Sequence, residues 1–154
     1  MTQPTHTRCL ILACGNTSRG DDGAAWRLVE MAAIAGLPET VEVIAQQQWT
    51  PELAADLAEA DSVLFVDCRL DGTPGTVTRT TVEAAEAAPN YLSHHTDAAG
   101  LLRLTAELYG TRPRRADLLL ICGESLGYTE ALTPVVEDAL PVALDLLMEW
   151  VRGQ

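Results

Sequence analysis

Two adjacent aspartates, Asp21 and Asp22, follow a short loop that leaves the apolar run of residues 10–14 at Gly15-Asn16. A helical pattern of Ala24, Ala25, Trp26, Leu28 and Val29 begins directly behind them. Strand, tight turn and helix opening is where open α/β sheets put their chemistry. Such turns often hold phosphate at the helix N-terminus. Two carboxylates repel phosphate and attract a cation, so the chemistry on offer is metal contact or acid–base work. Asp67 ends the apolar run of residues 62–67, and His94 and His95 follow Ser93 just before another helical pattern.

Each of these has a structural explanation as well. An aspartate at a helix start is usually a cap, and one of Asp21 and Asp22 is expected to serve as one. A second in a row is more than capping needs. A carboxylate ending a buried strand often closes a turn, and a histidine near a helix start is more often a capping or surface residue than a ligand. Two carboxylates and one imidazole on one edge of a sheet would nevertheless suit a divalent first-row metal with open coordination positions.

The elements that must position them can be read from periodicity. Residues 22–35 predict a helix ended by Gly36 and Pro38, and 41–45 a strand. A helix over 50–60 is expected, with Thr50 as cap and Pro51 at its first position. Residues 62–67 and 117–122 are continuously apolar, as buried strands of parallel sheets are. Residues 76–82 predict an edge strand. Residues 97–109 predict a helix with Leu101, Leu104 and Leu108 on one face, and 134–151 a last helix kinked at Pro141. Alternating strands and helices imply an α/β fold: one three-layer domain over residues 8–154, with a twisted, mostly parallel five-stranded sheet and helices on both faces. Residues 1–7, with His6, are expected to be a flexible tail.

The chain has 154 residues and a net charge of −12, from 22 acids and ten bases, all arginine. That acidity disfavours nucleic acid and anionic membrane as partners. No segment reaches the length of a membrane span, and there is no signal-peptide pattern. Four cysteines without a CxxC pair point to free thiols in the cytoplasm. Arg112, Arg114 and Arg115 read as a solvated loop, or as a patch that steers an acidic partner. Ser125 in Gly-Glu-Ser-Leu-Gly imitates a nucleophile elbow, but a loop intervenes before the helix at Pro134.

With these segments in order, the chain resembles the hydrogenase maturation proteases. The resemblance rests on Gly15-Asn16 with Asp21-Asp22-Gly23, on Gln48-Trp-Thr-Pro-Glu-Leu53 and on Val66-Asp67. Ser93-His94-His95 follows, and then Gly123-Glu-Ser-Leu126 with Leu132-Thr-Pro134. It implies an aspartyl-type endopeptidase that removes the C-terminal extension of the large-subunit precursor of a nickel–iron hydrogenase. It implies Asp22 and Asp67 as the metal-contacting carboxylates and His95, two residues after Ser93, as the histidine. The nickel would be carried by the precursor. Gln48 lies in a segment that resembles a Gln-Leu-x-Pro-Glu-Leu branch of the family, with Trp49 in place of the aliphatic residue, and substrate contact is expected there. Ala13 and Ala25 stand where many members have glycine. Glu124 is read as structural, and Cys68 as turned away from Asp67 by strand alternation.

Two rivals follow from other readings. A nucleotide-binding doubly wound domain would need a GxGxxG or phosphate-loop lysine, and neither is present. A nickel-sensing chaperone that binds the precursor without cutting would use the same three side chains.

Overall fold

The computed structural model describes residues 8–86 and 97–154. In chain order the elements are β1 (Cys9–Cys14), a 3-10 turn (Gly20–Gly23), α1 (Ala24–Ala35), β2 (Val41–Gln46) and α2 (Leu53–Glu59). They continue with β3 (Ser62–Arg69), β4 (Val77–Thr81), α3 (Ala98–Tyr109), β5 (Arg115–Cys122) and α4 (Pro134–Arg152). The strands form one sheet in the order β2-β1-β3-β5-β4. All neighbours are parallel except β4, which runs antiparallel on the edge beside β5. This is the α/β architecture read from the sequence.

Strand alternation divides the core into two layers. Ile11, Leu64, Val66 and Ile121 face α1 and α4, where Leu28 and Trp150 pack on them. Leu10, Leu12, Val63 and Phe65 face the other side, against Leu57 of α2 and Leu101 of α3. Strands β1 and β3 are therefore apolar on both faces, and each fully buried Leu or Phe contributes about 1.5–3 kcal/mol. Ala13 and Ala25 are 1 % and 0 % exposed, so both methyls sit in the core.

Strand order determines where a site can form. Chain leaves β1 for its neighbour β2 on one side, then crosses to β3 on the other. The β1/β3 boundary is thus the point where open sheets leave a crevice beyond the carboxyl ends of the strands.

Several local expectations need correction. The second helix starts at Leu53 rather than Thr50, because Leu53 N–H bonds Thr50 O and Ala54 N–H bonds Pro51 O in a preceding turn. Leu108 is 62 % exposed; the buried stripe of α3 runs through Ala98, Leu101, Leu102 and Thr105, and Leu108 lies beyond its end. Pro141 lies inside the last helix, where the sequence places it.

Candidate active site

The Gly15-Asn16 turn is built by its neighbours. Gly15 has φ +149°, and a Cβ there would meet the Asp22 carbonyl oxygen at 1.9 Å. Only glycine lets β1 end this close to the returning chain. Asn16 then folds the loop: its side-chain oxygen accepts Ser18 N–H at 2.9 Å, and its carbonyl accepts Arg19 N–H at 3.0 Å. Trp26 of α1 donates Nε1–H to the Gly15 carbonyl at 2.8 Å, fixing the helix to the turn.

The two aspartates separate into different roles. Asp21 is fully buried, and neither it nor Asp22 caps a helix by side chain. Its Oδ2 accepts the N–H groups of Glu124 (2.8 Å) and Ser125 (3.0 Å), and its Oδ1 accepts Thr133 N–H at 2.8 Å. The Thr133 hydroxyl donates to Oδ2 at 2.8 Å. Burial works to raise the Asp21 carboxyl pKa, but these bonds outweigh it and hold the group below the ordinary carboxylate range. The expectation that one of the pair caps a helix is corrected: the carboxylate instead ties a distant loop by accepting its backbone amides. Asp22 is the spare one. Its Oδ2 accepts Asn16 N–H at 2.7 Å, and its side chain lines a cleft.

Asp67 lines the same cleft. It does not close β3, as the sequence suggests, because β5 continues alongside and pairs through Cys68↔Ile121 and Arg69↔Cys122. Pairing with β1 ends one residue earlier, at Ala13↔Val66. Asp67 therefore emerges where β3 outruns β1, at the crevice described above. Its Oδ1 accepts Cys68 N–H at 2.8 Å and the Cys14 thiol at 3.3 Å, and Arg69 Nε approaches Oδ2 at 3.3 Å. Burial raises the Asp67 carboxyl pKa, and the hydrogen bonds and the Arg69 charge only partly offset it. Burial likewise pushes the Cys14 thiol above its usual range, helped by the Asp67 charge, so it stays a donor.

The cleft has a volume of about 530 Å³. Gln48 is exposed on its wall, carried by Trp49, which is 6 % exposed and packs edge-on against Phe65 at 5.1 Å. That contact accounts for the tryptophan in the Gln-x-x-Pro-Glu-Leu segment. Asp97 adds a third carboxylate to the lining, though its Oδ1 already accepts Gly100 N–H at 2.7 Å as the cap of α3. Cys68 belongs to the α1/α4 core layer, opposite in strand parity to Asp67, as alternation requires, and the residue also borders the cleft.

His94 and His95, with Ser93, lie outside the described residues, as do residues 1–7. Among the described residues no group of three or more His, Cys, Asp or Glu is arranged to hold a metal ion. Asp22 and Asp67 supply two hard oxygen donors, and a divalent ion between them would need further donors. Glu124 acts through its backbone N–H, its side chain being exposed. Ser125 acts through its backbone too, and the segment between β5 and α4 excludes a nucleophile elbow. Arg112, Arg114 and Arg115 are exposed, with Arg115 Nε 3.4 Å from Asp117. Arg19, Arg69 and Leu126 also line the cleft. Arg19 lies in a loop and Arg69 ends β3, and neither position carries a local signal of the cleft.

The family model described as HycI, hydrogenase maturation protease, matches residues 27–150, which include Gln48, Asp67 and His95. The structure superposes on the hydrogenase maturating endopeptidase HybD from E. coli with a TM-score of 0.79 and 27 % identity, covering 96 % of this chain and 93 % of that one. An endopeptidase from Escherichia coli gives a TM-score of 0.74 and 29 % identity over 96 % and 93 % of the two chains. The hydrogenase 2 maturation peptidase from Thaumarchaeota archaeon SCGC_AB-539-E09 gives 0.70 and 26 %, over 94 % and 98 %. No curated protein matches the sequence.

Proposed function

The chain belongs to the hydrogenase maturation protease family and is a hydrogenase maturation endopeptidase, and from that premise we propose what it cuts and how. Its substrate is the nickel-loaded large-subunit precursor of a nickel–iron hydrogenase, from which it removes the C-terminal extension. The observation that carries this reading is the convergence of Asp22 and Asp67 on one cleft at the β1/β3 crevice. Among the family's members named as endopeptidases and peptidases, a non-cleaving chaperone is not the favoured alternative.

In this account Asp22, Asp67 and His95 meet the nickel that the precursor brings, so the metal marks a correctly loaded substrate. A divalent ion so held polarises a carbonyl oxygen. The carboxylates orient water and take its proton. Asp22 Oδ2 is occupied by Asn16 N–H, which leaves Oδ1 to accept. The proton taken from water then passes to the leaving amine. Gln48, exposed on the cleft wall, bonds the substrate main chain. The four free cysteines suit a reducing cytoplasm, and no helix among the described residues is long and apolar enough to cross a membrane.

Mass spectrometry of the nickel-loaded precursor before and after mixing with the protein tests the reading. Loss of one C-terminal fragment is expected. An unchanged precursor in a stable complex would make the protein a binder instead.

A further inference from the structure

The loop between β5 and α4 is bound to residues 19–21 along its whole length. Gly20 N–H donates to Thr129 O at 2.7 Å, and Asp21 N–H to Ser125 O at 2.9 Å. Arg19 Nε donates to Leu126 O at 3.1 Å. The Asp21 carboxylate holds both ends of the loop, at Glu124 and Ser125 and again at Thr133. Ordering loop backbone costs conformational entropy, and these bonds offset it.

The side chain presented by this ordered loop is not used by the fold. Tyr128 is 90 % exposed, and the Arg19 guanidinium lies over its ring, 4.6 Å from the centroid. Arg19 and Leu126 also line the cleft that holds Asp22 and Asp67. A fixed lip of the cleft therefore extends a flat, amphipathic platform into solvent. Tyrosine and arginine are the residue types that most often carry binding energy at interfaces, since their large surfaces are already stiff. A stacked cation also keeps the ring oriented.

We propose that Tyr128 and Arg19 form the docking lip for the polypeptide substrate. The Tyr128 ring seats an apolar side chain of the precursor near the scissile bond, and the remaining Arg19 N–H groups take a main-chain carbonyl of the same segment. A polypeptide fits where a nucleic acid does not, because the chain carries a net charge of −12. The lip is continuous with the cleft, so an extended chain crossing Asp22 and Asp67 and leaving on that side passes over it. This inference rests on the endopeptidase reading above.

The test measures both affinity for the nickel-loaded precursor and its cleavage, with wild type, Tyr128→Ala, Tyr128→Phe and Arg19→Ala. Tyr128→Ala is expected to raise Kd and KM about tenfold and to leave kcat within about twofold. Tyr128→Phe keeps the ring and stays near wild type. The thermal midpoint of Tyr128→Ala is unchanged, since the side chain lies outside the core. Wild-type Kd and KM in Tyr128→Ala would overturn the proposal, as would a fall in kcat at constant KM. A wild type that binds but does not cut would refute the endopeptidase reading alone, and the Kd comparison would still decide the lip.

Discussion

Asp21 and Thr133 stand 112 residues apart in the chain, yet Thr133 gives both its backbone N–H and its hydroxyl to the Asp21 carboxylate at 2.8 Å. The hydroxyl is thereby withdrawn from capping α4, which starts without a side-chain cap bond. The pair fixes the β5–α4 loop beneath the turn that carries Asp22. Hydrogen bonds to a charged group contribute about 1.5–3 kcal/mol each, and unpaired buried donors add a penalty. Asp21→Asn is therefore expected to cost roughly 2–4 kcal/mol, a fall in Tm of about 5–15 °C. Asp22→Asn, half-buried and with one backbone bond, should melt near wild type. Calorimetry on the two variants checks the contrast.

Acid should separate Asp21 from Asp67. The folded-state pKa of Asp21 is lowered, so its stabilisation is present above the unfolded carboxyl value of about 3.9 and is lost as pH falls through the folded value. Asp67 is raised, so its contribution is present below that value and is lost as pH rises through the folded one. In urea midpoints measured from about pH 3 to about pH 8, Asp21→Asn should show a shallower acid limb than wild type. Asp67→Asn should gain on wild type as pH rises above about 4. The reverse ordering would show that the bonds given to each carboxylate are wrong.

Gly15 is expected to reject even a methyl group. At φ +149° a Cβ would lie 1.9 Å from the Asp22 carbonyl oxygen, which is backbone and cannot swing away. Gly15→Ala should lose more than about 1 kcal/mol of stability and, by displacing Asp22, cleavage as well. Retention of both in melting and cleavage assays would contradict the turn geometry.

The thiols should be silent in the native state. All four cysteines are free, three are buried, and Cys14 is partly covered. Burial raises Cys14 and pushes Cys68 up to about 12. A thiol reagent at about pH 8 should react slowly with native protein and promptly with four thiols after unfolding in guanidinium. Rapid labelling of Cys14 would mean that its bond to Asp67 is absent.

Sequence patterning was enough to order the elements and to bring Asp22 and Asp67 to the carboxyl ends of their strands, because apolar runs and turn residues are local signals. What it missed is long-range. Asp67 seemed to end its strand because the apolar run stops there, whereas pairing with β5 carries β3 on to Arg69. The role of Asp21 depends on amides that stand a hundred residues away, and nothing local distinguishes it from Asp22. Glu124 and Ser125 matter through backbone N–H groups, which every residue has. Leu108 fits the helical spacing but falls past the end of the stripe that the sheet covers. Gln48 lies on the cleft wall, while Thr50 lies in a turn ahead of α2.

The central claim is that Asp22 and Asp67 act together on one bound substrate. Nickel-loaded precursor incubated with wild type, Asp22→Asn and Asp67→Asn, and followed by intact-mass spectrometry, tests it most directly. A shortened subunit is expected with wild type, and a loss of at least about a hundredfold in rate with either variant, each still melting as a folded protein. Cleavage at the wild-type rate by either folded variant would contradict it.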